Sequence, residues 1–330
     1  MEAVKTKKQS GFVQSVAKYW LALFTALIFI VFTIATPRFA TASNIFNIIG
    51  SACTMAIAAM GMTCVMAAGE IDFSAGAQVS MGGVLFGKLL MINGFDSVVI
   101  AAVITILALA CVGLINAFLH IVVKMPSFIA TMGMNYLILG MAKFLSNGGQ
   151  VIMNARQWPD SYTFIGQGRL FGLIPYTVFV LLIVSAFMYV YTQKTRWGKY
   201  LYAVGVNPHA CDYIGISRKQ QKLRGFVLCS VLSAIAGVVM TSMLNSCNAL
   251  MGDGTMLQSI TCLMLGATFI TMGVYNVPGT IIAALMLTAL TYGLTMLGAK
   301  EYVKSLVEGV ILIVSVSVVT VIRLKGGMKS

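Results

Sequence analysis

Apolar runs of membrane-crossing length recur along nearly all of this 330-residue chain, and they restrict what it can fold into. A helix rising 1.5 Å per residue needs about 20 residues to cross about 30 Å of hydrocarbon. Runs of about that length occupy 19–36, 48–68, 76–92, 98–119 and 127–144, then 173–191, 226–244, 257–272, 277–297 and 303–322. They are continuous and lack the alternation of outer-membrane strands, which favours helices over a barrel. Charged residues make up 9% of the chain, against about a quarter in soluble domains. So little charge excludes an ordinary cytosolic enzyme, a disordered chain and a nucleic-acid binder, despite a net charge of +13. The pattern predicts an all-α polytopic membrane protein of about ten transmembrane helices, embedded in a lipid bilayer.

The basic residues test the count. With the amino terminus in the cytoplasm, inside segments hold 15 of the 22 Lys and Arg, outside segments hold six, and Lys88 falls within a run. Cytoplasmic loops carry the excess of Lys and Arg, so an even count with both termini inside is expected. The whole of 1–330 reads as one transmembrane domain. It has a cytoplasmic amino terminus (1–18), a basic cytoplasmic loop (192–225) between the sixth and seventh runs, and a cytoplasmic tail (323–330). The outer connection 146–172, with Trp158-Pro159, reads as an exterior cap or docking ledge.

The start imitates a signal peptide: Lys5, Lys7 and Lys8, an apolar stretch, then Ala40-Thr41-Ala42. The stretch exceeds the usual apolar core of about 7–15 residues, so it reads as an uncleaved first span. Seven scattered cysteines, five of them in apolar runs, read as reduced packing residues. With His120 and His209 the only histidines, no metal-ligand set is expected. The 22 methionines read as packing residues for the same lack of partner ligands.

The loop 192–225 carries seven basic residues. Within it Asn207 suits an N-cap, Pro208 the first helical position and Gly215 the left-handed position past the end. A helix of about two turns over 208–214 is expected, short, rigid and able to dock on a soluble partner. Thr195-Arg196-Trp197-Gly198-Lys199, then Ala203-Val204-Gly205 and Asn207, then Gly215-Ile216, resemble in order a loop of bacterial permeases. These are the permease subunits of ABC importers for ribose, galactose and xylose, within a wider group that serves branched-chain amino acids and nucleosides. The resemblance implies that Arg196, Gly198, Asn207, Pro208, Asp212 and Gly215 belong to a coupling loop whose helix docks on an ATP-hydrolysing subunit.

A second segment, Gly69-Glu70-Ile71-Asp72-Phe73-Ser74-Ala75-Gly76, places two of the chain's nine acids beside a glycine break between two runs. Acids near the membrane interior are functional candidates, and irregular backbone there can line a polar path. An interfacial turn, with Asp72 or Ser74 capping the next helix, is the alternative. The same family carries a G-G-[IV]-D-L-S-x-G segment, which Gly69, Ile71, Asp72, Ser74 and Gly76 match. Glu70 and Phe73 depart from it. Glu70, Asp72 and Ser74 are therefore candidates for a translocation path or gate. A fainter match lies at Gly273, Gly279 and Thr280.

The run Gly82-Gly83-Val84-Leu85-Phe86-Gly87-Lys88-Leu89 nearly fits a phosphate loop. Leu89 lacks the hydroxyl that would hold magnesium, and the run lies inside an apolar stretch. No cofactor on this chain is expected, and no catalysis. The resemblance places ATP and magnesium on a separate ATPase subunit, and adds a second permease copy or paralogue and an external solute-binding protein. The expected activity is ATP-driven import of a small polar solute, a monosaccharide first among the possibilities. A gradient-driven secondary transporter, or an importer of nucleosides or branched-chain amino acids, stays open.

Overall fold

The computed structural model describes residues 11–91, 97–148, 150–152, 166–271 and 273–325. Lys5, Lys7 and Lys8, the Trp158-Pro159 ledge and the end of the basic tail lie outside them. The chain forms α1 (Gly11–Ala35), α2 (Ala42–Ala67), α3 (Ala75–Leu90), α4 (Val98–Ile121), α5 (Ser127–Leu145) and α6 (Tyr176–Tyr189). A π turn, Val190–Lys194, leads to α7 (Arg196–Val206) and α8 (Pro208–Tyr213). Then come α9 (Arg218–Leu244), α10 (Thr255–Gly266), α11 (Val277–Met296) and α12 (Glu301–Lys325). Short strands β1 (Gln150–Ile152) and β4 (Ser246–Asn248) pair antiparallel, as do β2 (Arg169–Leu170) and β3 (Ile174–Pro175).

Six helical segments among the described residues are long and apolar enough to cross a membrane: α2, α4, α5, α6 with its π turn, α9 and α11. Every apolar run of the sequence holds a helix, and several helices depart from the bounds of their runs. The eighth run ends as helix at Gly266, and beyond it Ile270 and Gly273 take left-handed backbone as the chain turns. α9 starts at Arg218, ahead of its apolar stretch, where Ser217 accepts the Gln220 N–H as an N-cap. The basic stretch after Thr195 is itself helical, because the Thr195 hydroxyl accepts from Gly198 N.

The core is built on α2, whose buried face is mostly alanine, glycine and methionine. Small residues let backbones approach, which drives helix packing where no water competes. At Gly237 of α9, a methyl group would collide with the Val79 carbonyl of α3. The perimeter is the reverse of a soluble surface: Ile34, Val99, Leu137, Phe144 and Ile183 are all exposed. Such broad apolar exposure suits hydrocarbon and not water. The protein is an all-α polytopic membrane protein.

Candidate functional site

α2 stops at Ala67, and Gly69, in left-handed backbone, turns the chain towards α3. The two acids of this turn have separate surroundings. The Glu70 carboxylate meets Lys222 Nζ at 2.5 Å and His120 Nε2 at 3.0 Å. His120 Nδ1 lies 2.8 Å from the Met125 carbonyl and therefore donates to it. Nε2, also 3.2 Å from Lys222 Nζ, then stands between a cation and a carboxylate. Burial pushes the Glu70 carboxyl up, but hydrogen bonds from His120, Lys222 and Ser127 outweigh it and bring it down to about 2.

Asp72 is 0% exposed and meets neutral donors only. Its Oδ1 accepts from Ser74 N at 2.9 Å and from the Ser74 hydroxyl. Its Oδ2 accepts from Gln78 Nε2 at 3.2 Å and Asn116 Nδ2 at 3.4 Å. Both amides also donate to Ser74 Oγ, at 2.7 and 2.9 Å. The network ties the start of α3 to α4. Gln78 Oε1 and Asn116 Oδ1 are buried acceptors without a partner. The structure thus brings Asp72 and Ser74 together and gives Glu70 separate partners.

Between Asp72 and Ser74, Phe73 lines a cavity of about 180 Å³. Its other walls include Ser80 of α3, Asn135 of α5, and Gly252, Asp253 and Met256 at the start of α10. The segment from Asn245 to Gly254 reaches it without regular helix. Gly252 N donates to Ser80 Oγ at 2.8 Å, and neighbouring Val79 backs onto Gly237 of α9, well inside the apolar stretch 226–244. Non-helical backbone at such depth is tolerated where it is packed in protein or lines a polar cavity. The weak match in the second half has a matching device. Asn276 Nδ2 donates to the carbonyls of Gly266 and Phe269, both at 3.0 Å, while its Oδ1 accepts from Gly279 N at 2.8 Å. One side chain thereby joins the end of α10 to the start of α11.

The loop candidates form a surface element. Asn207 Oδ1 accepts from Ala210 N at 2.9 Å and caps α8, Pro208 takes its first position, and Gly215 is left-handed beyond its end. Asp212 pairs with Arg218 at 2.6 Å, bracing α8 on α9. Gly198 lies against the carbonyl of Tyr191, and the Arg196 guanidinium lies 4.4 Å from the Trp197 ring centre. Tyr213 and Ile214 point outwards, 92% and 71% exposed. The loop is also joined to the turn: a methyl group at Gly205 would strike the Ala67 carbonyl at the end of α2.

Sequence reasoning missed His120, Lys222, Gln78, Asn116, Asn135 and Asp253 as members of this region. A polar amide inside a long apolar run, as Asn116 is, was the available signal. Lys304 and Glu308 have the i, i+4 spacing of a helical ion pair but do not pair. Lys304 instead meets Glu301 at 2.9 Å, and Glu308 accepts from Gln258 of α10.

The family described as branched-chain amino acid transport system / permease component matches residues 44–316. The chain is similar to the ribose import permease protein RbsC of Escherichia coli (strain K12), 31% identical over 307 residues, covering 91% of this chain and 94% of that protein. It is also similar to the autoinducer 2 import system permease protein LsrD of Enterobacter sp. (strain 638), 31% identical, with 79% of each chain covered. The L-arabinose ABC transporter permease protein AraH of Azospirillum brasilense is 26% identical, covering 94% of this chain and 89% of that one. No solved structure matches the chain.

Proposed function

The chain belongs to the family of permease components of branched-chain amino acid transport systems, and from that premise we propose that its cargo is a monosaccharide. It is a multi-pass inner-membrane protein and the permease component of an ABC importer, not an enzyme. ATP hydrolysis belongs to a separate subunit, and a solute-binding protein is the other partner the family implies. The observation that carries the cargo is the match along nearly the whole length of a ribose import permease, repeated with an arabinose permease.

The finer reading is ours. Ten helices cross the bilayer, with both termini cytoplasmic. The bias of 15 basic residues to six supports it. The whole of 1–330 acts as one transmembrane domain. Two permeases, identical or paralogous, enclose the path. No cofactor sits on this chain, and ATP with magnesium binds the ATPase.

The loop bearing Arg196, Gly198, Asn207, Pro208, Asp212 and Gly215 couples the ATPase to the helices. The outward pair Tyr213 and Ile214 supports a docking role, since exposed apolar side chains on an element outside the bilayer mark an interface. The contact of Gly205 with Ala67 supports a direct mechanical link from that loop to the turn carrying Glu70, Asp72 and Ser74. Those three act as the gate: they fix the turn whose Phe73 faces the cavity.

The test is uptake of labelled monosaccharides by proteoliposomes holding the permease, its ATPase subunit and its binding protein. Uptake should require both partners and ATP, and persist when ionophores collapse ion gradients. Uptake by the permease alone, driven by a gradient, would replace this reading with a secondary transporter. Transport of leucine in place of any sugar would leave the importer and discard the cargo.

A further inference from the structure

A groove of about 450 Å³ on the outer side of the bundle is separate from the cavity and from the gate. Its walls are Leu114 of α4, Tyr191 of the π turn, and Val227 and Leu228 of α9, with Trp197 and Arg224 at one end. The Arg224 guanidinium lies 3.8 Å from the Trp197 ring centre, and that of Arg196 lies 4.4 Å from the same ring. Stacking uses the flat face of a guanidinium and leaves its edge N–H groups free for oxygen ligands. Arg224 uses one of them on Gln221 Oε1, at 3.3 Å. Among the described residues, the ion pairs engage His120, Arg218, Lys222 and Lys304 and leave both stacked arginines without a carboxylate.

The depth of the groove follows from α9. Its first seven residues, Arg218 to Arg224, are polar apart from Leu223, and an apolar stretch follows from Phe226. Arg224 therefore marks the level where headgroups give way to hydrocarbon. Trp and Tyr concentrate at that level, as Trp197 and Tyr191 do here. Leu114 and Leu223, both in its lining, are exposed.

We propose that this groove is a binding site for one anionic phospholipid. Its phosphate rests on the edges of Arg196 and Arg224, and an acyl chain runs along Leu114, Val227 and Leu228. Arg224 in the wall of an apolar groove and Arg196 against the Trp197 of that wall, with no acid among the lining residues, complement that ligand and no neutral lipid. The inference needs the chain to span a membrane and is independent of the cargo.

Native mass spectrometry of the full-length detergent-solubilised permease, given equal amounts of phosphatidylglycerol and phosphatidylcholine with the same acyl chains, tests it. Wild type should retain the anionic lipid at least about tenfold over the neutral one. Arg196→Gln with Arg224→Gln should bring the ratio near one. Val227→Trp, which fills the groove and keeps both charges, should lower retention of the anionic lipid and provides a second route if the double variant is poorly folded. An equal ratio in wild type, or an unchanged ratio in both variants, overturns the proposal. So does a double variant that keeps its lipid preference but no longer binds the ATPase subunit, because the arginines then serve a protein interface.

Discussion

Gly205 of α7 abuts the carbonyl of Ala67, the last residue of α2, so closely that no side chain fits between them. Two residues on, Gly69 in left-handed backbone begins the turn that carries Glu70 and Asp72. On the proposed coupling role, movement of the loop would reach the turn through this backbone contact. Gly205→Ala forces the two helices apart, and overpacking of this kind costs about 1–3 kcal/mol. ATP-driven uptake in proteoliposomes should fall about tenfold (about 1.4 kcal/mol) while the ATPase subunit still copurifies. Uptake at the wild-type rate would show that the contact transmits nothing.

The parts of the molecule that depend on local rules were legible in the sequence. The ten apolar runs each hold a helix, and the N-cap of Asn207, the proline after it and the left-handed Gly215 bound α8 as expected. The early stop of α10 was not legible, because it depends on Asn276 reaching back to the carbonyls of Gly266 and Phe269. The partners of Glu70 and Asp72 were hidden for a similar reason. His120, Lys222 and Asn116 come from α4 and α9, and only tertiary packing brings them to the turn. Asp72 and Ser74 were chosen together from one short segment, and there the tie is local: Ser74 N and Oγ both donate to Asp72.

The Asp72 network separates shape from charge. Asp72→Ala removes the acceptor shared by Ser74, Gln78 and Asn116. Each buried donor left unpaired costs about 1–3 kcal/mol. Asp72→Asn has a rescue, because Gln78 Oε1 and Asn116 Oδ1 lack partners and can accept the new amide after the facing groups rotate. Thermal unfolding in detergent should rank wild type first, Asp72→Asn second and Asp72→Ala last. An Asp72→Asn protein no more stable than Asp72→Ala would mean that the amide rescues nothing and that the negative charge itself is what the site requires.

Glu70 gives a pH dependence of defined sign. Its carboxyl, ordinarily at 4.5, is brought down to about 2. A depressed folded value means that the stabilisation is fully present above about pH 4.5 and is lost as pH falls towards 2. Unfolding temperatures measured from pH 7 to pH 3 should therefore fall more steeply for wild type than for Glu70→Gln, so that the two approach each other in acid. Between pH 6 and pH 8 Glu70 stays ionised, and any change of uptake in that window must come from another group. Parallel curves for the two proteins down to pH 3 would remove the Glu70 cluster as a source of stability.

The cavity beneath Phe73 supplies the last test, and it separates passage of the solute from the machinery that drives it. Asn135 of α5 and Asp253 just before α10 offer an amide and a carboxylate, and Phe73 and Met132 offer apolar faces. That mixture suits a sugar, whose hydroxyls want hydrogen bonds and whose ring presents C–H groups. Loss of one hydrogen bond to the passing solute costs about 0.5–1.5 kcal/mol, so Asn135→Ala should slow uptake by about two- to tenfold. Asn135→Trp fills a cavity of about 180 Å³ and should abolish uptake. Neither change touches the loop, so ATP hydrolysis stimulated by the loaded binding protein should persist in both. If Asn135→Trp transports normally, the solute crosses elsewhere, and the turn at Glu70, Asp72 and Ser74 loses its claim to be the gate.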